Sequence, residues 1–234
     1  MIRLHITAEG QTEQNFVKRV LAPHLAHFKV LVRVRCVFTR NDPMSPYEFR
    51  GGLSSYDMAQ KDIEAWLKEE PAPECRFTTM FDFYALPKDF PGLVNARRER
   101  DPYERVRIIE ENLAQSINDI RFIPYIQLHE FEALILADPQ SLGCEYFEYE
   151  TEINNLVSMV QSQNPELIDD GPATAPSKRI CKEIPEYKYT KATAGVAVVE
   201  KIGLPTLRAK CRHFNEWLSG LEGLAGASPG APHE

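Results

Sequence analysis

The chain has 234 residues, of which 43% are hydrophobic and 26% charged, with a formal net charge of −7. That size and composition suit one large soluble domain or a domain with a subdomain, and no apolar run approaches the roughly 20 residues that cross a bilayer. The acidic balance argues against a protein that grips nucleic acid through overall positive charge, while leaving room for an enzyme that acts through a local site.

Residues 2–8 alternate Ile2, Leu4 and Ile6 with Arg3, His5 and Thr7, which predicts a first strand. This N-terminus lacks the apolar stretch and cleavage site of a signal peptide, so a cytoplasmic location is expected. Gly10 suits a sharp turn and Thr12 is a candidate N-cap. Phe16, Val17, Val20, Leu21 and Leu25 follow at helical spacing, with Pro23 expected to kink or shorten the helix. A second strand covers 30–38, where β-branched residues alternate with arginines, and 40–55 reads as a long loop with Arg40 at its start. Ala59, Ile63, Trp66 and Leu67 mark a helix that Pro71 and Pro73 end.

Phe77 to Tyr84 reads as a buried third strand with a lone acid, Asp82, near its C-terminal end. A polar loop over 85–101 leads to Asp101-Pro102-Tyr103-Glu104, which combines an acidic N-cap, a proline at the first helical position and a glutamate three residues on. Val106, Ile109, Leu113 and Ile117 supply the buried face of that helix. Phe122 to Leu128 is a fourth strand, where Pro124 predicts an edge or a bulge. Further helices are predicted over 131–137, 153–161, 195–202 and 207–221. The expected organisation is an α/β core over 1–138 with a mostly parallel four-stranded sheet flanked by helices, a helical C-terminal region over 139–222, and a disordered tail over 223–234. The five cysteines, Cys36, Cys75, Cys144, Cys181 and Cys211, are scattered without a Cys-x-x-Cys and predict reduced thiols.

In an open parallel sheet, functional groups gather at the carboxyl ends of the strands. Glu9 follows the first strand, Asp82 ends the third, and Glu130 or Glu132 follows the fourth. Clustered carboxylates repel unless a cation or shared protons offset the repulsion, and hard oxygen ligands favour Mg²⁺ or Mn²⁺. Each residue also has a plainer role. Glu13 is either a first-turn acid complementing the helix dipole or part of the cluster. Asp82 is either a cap or a ligand. If His129-Glu130-Phe131-Glu132 begins a helix, only one of its two glutamates need face the site. His129 suits a hydrogen-bonding role at a strand end better than a metal-ligand role. Lys178 and Arg179, and Lys188 within Tyr187-Lys188-Tyr189-Thr190-Lys191, are local positive patches that read either as phosphate clamps or as a solvated face. Phosphate-loop, dinucleotide, His-Glu-x-x-His and Gly-x-Ser-x-Gly motifs do not occur in the sequence.

Glu9-Gly-Gln-Thr-Glu13 directly after a first strand, followed by an aspartate on the third, resembles a Toprim domain, the metal-binding module of topoisomerases, primases and nucleases of the overcoming-lysogenization-defect type. A closer resemblance is to a bacterial family built on a domain of unknown function (DUF4276) and regarded as Toprim-like. It rests on Met80-Phe81-Asp82-Phe83-Tyr84-Ala85-Leu86-Pro87, His129-Glu130-Phe131-Glu132-Ala133-Leu134, Pro176-Ser177-Lys178-Arg179-Ile180, Ile184-Pro185-Glu186-Tyr187-Lys188 and Cys211-Arg212-His213-Phe214-Asn215-Glu216-Trp217. The resemblance covers nearly the whole chain. It implies a Toprim-like, Rossmann-like fold and Mg²⁺- or Mn²⁺-dependent phosphodiester cleavage.

Carried over by residue, Glu9 is the expected general acid/base or metal ligand. Asp82 and one of Glu130 or Glu132, with Glu132 favoured, are expected metal ligands. Lys178 is then a catalytic cation, with Glu13, Tyr84, His129, Arg179 and Lys188 supporting or binding phosphate. The usual Asp-x-Asp is replaced by Asp82-Phe83-Tyr84, so Glu13 or Glu130 must compensate or one metal serves. The implied partners are a nucleic acid substrate, DNA ahead of RNA, and an ABC- or AAA-type ATPase in an anti-phage defence setting. A second copy of the chain, as a homodimer, is a further candidate partner. The rival readings are a non-catalytic adaptor or sensor for such an ATPase, and a nuclease directed at tRNA or other RNA.

Overall fold

The structure, a computed structural model, describes residues 1–40, 49–50, 52–161, 163–168 and 174–226. Most of the predicted 40–55 loop and most of the predicted tail, residues 227–234, lie outside these residues.

Strand β1 (Ile2–Ala8) pairs in parallel on both sides, with β2 (Val30–Cys36) and with β5 (Cys75–Asp82). Two short segments, β3 (Phe38–Arg40) and β4 (Phe49–Arg50), form a separate antiparallel ribbon. The predicted fourth strand is two pieces, β6 (Phe122–Ile123) and β7 (Ile126–Gln127), both parallel to β5. The main sheet thus has five strands rather than four, in the order β2-β1-β5-β6 with β7 also on β5. Pro124 causes the split, because it brings no N–H to the ladder. The Thr79 hydroxyl fills the gap: it donates to Tyr125 O at 2.9 Å and accepts from Tyr125 N at 3.0 Å.

The helix after β1 runs through Gln11–Phe16, a π turn at Val17–Leu21 and Ala22–Ala26, so Pro23 is taken up by a widened turn and the helix continues past it. Its N-cap is Gly10 rather than Thr12, because the Glu13 carboxylate reaches back to accept the Gly10 N–H at 2.8 Å. The helix over Pro102–Ile117 starts at Asp101, whose side chain accepts from Tyr103 N at 2.9 Å, as its sequence predicts. The predicted 207–221 helix is two helices, Leu204–Lys210 and Arg212–Gly223, hinged at Cys211.

Two apolar clusters cover opposite faces of the sheet. One joins Phe77, Phe81, Ala59, Ile63, Val106 and Ile109, from β5 and the helices Tyr56–Glu69 and Pro102–Ile117. The other joins Leu4, Ile6, Phe16 and Leu21 with Ile180, Tyr187, Val198, Phe214 and Trp217, so the C-terminal helices share the layer of the first helix. Trp217 stacks on Tyr125 at 4.1 Å between centroids, and its indole N–H donates to Thr78 Oγ1 at 3.0 Å. The fully buried Glu166 anchors the last helix by accepting from His213 N at 2.9 Å and Phe214 N at 3.0 Å. Connections therefore leave the central pair β1 and β5 on opposite faces, which places a crevice at the carboxyl ends of those two strands.

Candidate acidic site at the carboxyl ends of the strands

Glu9 is the first residue beyond β1 and Asp82 the last of β5. Ladder pairing brings them together, and the Asp82 N–H donates to Glu9 Oε2 at 3.0 Å. One turn into the first helix, Glu13 is buried with its carboxylate on the Gly10 N–H. A substituent on Gly10 would lie 3.3 Å from that carboxylate, so glycine lets the two approach. Beyond β7, His129 turns the chain in a left-handed conformation with φ 62°, and its carbonyl accepts from Tyr84 N at 3.0 Å. The His129 and Tyr84 rings lie 5.4 Å apart, so this pair ties the two strand ends together. A non-glycine residue held in that conformation is strained, a feature that concentrates at functional sites.

The turn at His129 delivers both glutamates that follow. Glu130 reaches the first turn of the helix Pro176–Glu183, accepting from Ser177 N at 2.5 Å and Ser177 Oγ at 3.1 Å. Glu132 is buried and accepts from the Tyr187 hydroxyl at 3.2 Å, while the Lys191 ammonium lies 3.0 Å from its Oε1. Lys191 opens a π turn, Lys191–Gly195, against which the first helix packs through Asn15 Nδ2 donating to Ala192 O at 2.9 Å.

Charge confirms that these acids share one environment. Burial, then the negative charge of Glu13, pushes the Glu9 carboxyl up to about 8. Burial raises Glu13 to about 7 against the pull of backbone N–H groups, with Glu132 adding to the rise and Lys191 opposing it. Asp82 is held well above the ordinary aspartate value by burial and then by Glu13, Glu9, Glu132 and Glu130. Glu130 is raised by burial and Glu132, against the pull of Ser177. Partial burial works against the Lys191 ammonium, but Glu132 and Glu130 outweigh it and keep its pKa above the usual lysine value. Asp82 Oδ1 is buried without a hydrogen-bond partner.

Five carboxylates and one ammonium therefore meet where the sequence places Glu9, Glu13, Asp82, Glu130 and Glu132. Among the described residues, the cation that pairs with one of them is Lys191, on Glu132, not Lys178. Lys178 and Arg179 line a separate pocket between the helices Glu150–Val160 and Pro176–Glu183. Lys188 points to solvent beside the Tyr189 ring, 5.8 Å from its centroid. Tyr187 and Lys191 are four residues apart, a helical spacing that puts both on one face, and this is the signal that could have singled out Lys191. The acids are spread more widely than ligands around one ion. Among the described residues, the trio whose ligand atoms lie within 4.8 Å of one another is His5, Glu70 and Cys75. That trio lies elsewhere, near the start of β5, and its Glu70 already pairs with Arg3 and Arg33.

Fold and site define an α/β protein with a parallel sheet flanked by helices and a buried acidic cluster at its switch point. The chain belongs to the DUF4276 family, a domain of unknown function, whose sequence model matches residues 8–222. Neither the curated proteins nor the solved structures contain a match. Among the described residues, no helix is long and apolar enough to cross a membrane.

Proposed function

We propose that the chain is a divalent-metal-dependent nuclease of Toprim-like architecture, acting on DNA through this acidic cluster. The observation that carries the reading is Asp82: its Oδ1 is buried without a partner among four other carboxylates at the carboxyl ends of the central strands. Hard oxygen donors crowded into one buried site fit Mg²⁺ or Mn²⁺: Glu9 and Asp82 would hold the ion, and Glu132 and Glu13, which stand farther off, would draw in to complete its shell. Bound there, it would supply a Lewis acid for a phosphodiester and a water of lowered pKa.

The chain's own groups have distinct tasks. The Asp82 N–H fixes one oxygen of Glu9, leaving the other free to bind or to move a proton. The Tyr187 hydroxyl orients Glu132. Lys191 offers an ammonium to a phosphate that enters the cluster, and Glu130 holds the helix Pro176–Glu183 against the site. The test is cleavage of plasmid and single-stranded DNA with Mg²⁺ and Mn²⁺, comparing the native chain with Glu9→Gln and Asp82→Asn. Cutting that both substitutions abolish is the expected result. Intact DNA with every metal, with and without an ATPase partner, overturns the reading.

A second reading has one observation in its favour. Glu130 and Glu132 already have internal partners, which suits a non-catalytic adaptor whose cluster is neutralised from within. Titration calorimetry separates the two: the nuclease takes up Mg²⁺ or Mn²⁺ at millimolar concentration, and the adaptor does not.

A further inference from the structure

The pocket between the helices Glu150–Val160 and Pro176–Glu183 has a volume of about 280 Å³. That is just below the roughly 300 Å³ at which small-molecule pockets begin, and suits a phosphate with its sugar better than a whole drug-sized ligand. Its charged lining is Lys178, Arg179, Lys182 and Glu183. Glu183 is held at the pocket wall by Asn155, whose Nδ2 donates to it at 3.0 Å. The Arg179 guanidinium is braced at the wall by donating to Thr174 O at 2.6 Å. Lys178 and Lys182 are exposed, one turn apart, and among the described residues neither has an ion-pair partner.

The location matters as much as the lining. Ser177, next to Lys178, is the residue that Glu130 of the acidic cluster binds. Cys181, on the same helix, feels the charges of Lys191, Glu132, Lys178 and Glu130, so pocket and cluster adjoin. The pocket's lining carries three cations (Lys178, Arg179, Lys182) against one acid (Glu183), a net +2 in a chain of net −7. A concave cationic patch beside an acidic centre on an otherwise acidic protein is a place for a polyanion to be held while one of its phosphates reaches the acids.

We propose that this pocket is a backbone-phosphate subsite, which grips DNA beside the acidic cluster through Lys178 and Lys182. The inference rests on the nuclease reading for the identity of the polyanion, but it is tested by binding alone. The experiment measures fluorescence anisotropy of a labelled DNA oligonucleotide with the full chain in EDTA, over a range of salt. With a double-stranded oligonucleotide as the probe, each phosphate contact contributes about 0.9 to the slope of log K against log salt. The double substitution Lys178→Gln/Lys182→Gln should lower that slope by about 1.8 and weaken binding at least tenfold, whereas Lys61→Gln/Lys68→Gln on the opposite face should leave both unchanged. Native binding that the pocket substitutions do not alter overturns the subsite and leaves the nuclease reading standing. A slope that falls as expected, in a protein that cuts no DNA with any metal, supports the subsite and removes the nuclease reading. Absence of DNA binding by the native chain overturns the subsite.

Discussion

Replacing Lys191 with methionine keeps the length of the side chain and removes the ammonium that pairs with Glu132. The Lys191 nitrogen lies 3.0 Å from Glu132 Oε1. At an effective dielectric constant of about 20, a pair at that distance interacts by about 5 kcal/mol. The Lys191 side chain is 36% exposed and that of Glu132 5%. Solvent screening and the cost of partly burying the ammonium reduce the net value to about 2–3 kcal/mol. For a chain of this size, that lowers Tm by about 4–12 °C.

The loss should depend on pH. Glu9 and Glu13 have folded-state values of about 8 and 7, above their ordinary 4.5. Between about pH 4.5 and 8 the folded chain therefore holds more protons than the unfolded chain, and stability falls as pH rises through that window. Removing the positive charge steepens the fall. At pH 5.5 Glu13, whose ionisation Lys191 favours, is protonated, so the part of the deficit that comes from Glu13 is gone and the loss should be smaller than at pH 8. Urea denaturation of native and Lys191→Met protein at pH 5.5 and pH 8 reads this directly. Equal losses at both pH values, or no loss at pH 8, would refute the placement of Lys191 as the counter-charge of the cluster.

Three further outcomes are expected. Glu9→Gln removes a carboxylate that burial and Glu13 disfavour in its charged form, so the variant should be more stable than the native chain at pH 9 and equal to it at pH 5.5; a variant less stable at both contradicts the raised value. Gly195→Ala would place a methyl 2.6 Å from the hydroxyl of the buried Tyr187, pushing it off Glu132 at a cost of about 1–3 kcal/mol, and an unchanged Tm would show that this ring can move aside. Glu166→Ala leaves the His213 and Phe214 N–H groups without their acceptor, and thermal unfolding should show a loss of about 2–4 kcal/mol; a loss below about 0.5 kcal/mol would mean that the last helix starts without this anchor.

Where local chemistry decides, the sequence and the structure agree. The alternation of Ile2, Leu4 and Ile6 forms β1, the cap at Asp101-Pro102 starts its helix, and Pro124 breaks an edge strand, because each rests on contacts within a few residues. The acids were placed by the same logic, since a strand boundary can be read locally and the carboxyl ends of parallel strands lie side by side. That reasoning located Glu9, Asp82, Glu130 and Glu132 without showing what else would join them.

Lys178 and Lys191 look alike in sequence, both being lysines in short basic stretches. Which one meets Glu132 depends on how the Lys191–Gly195 turn docks on the first helix, a contact between residues about 180 positions apart along the chain. Glu166 looks like a surface acid following Pro165, yet it is fully buried because the backbone of a helix some 47 residues away supplies its hydrogen bonds. Backbone propensity and periodicity are properties of neighbours and can be read along the chain. The partner of a charge is set by packing between distant segments, and only the folded chain determines it.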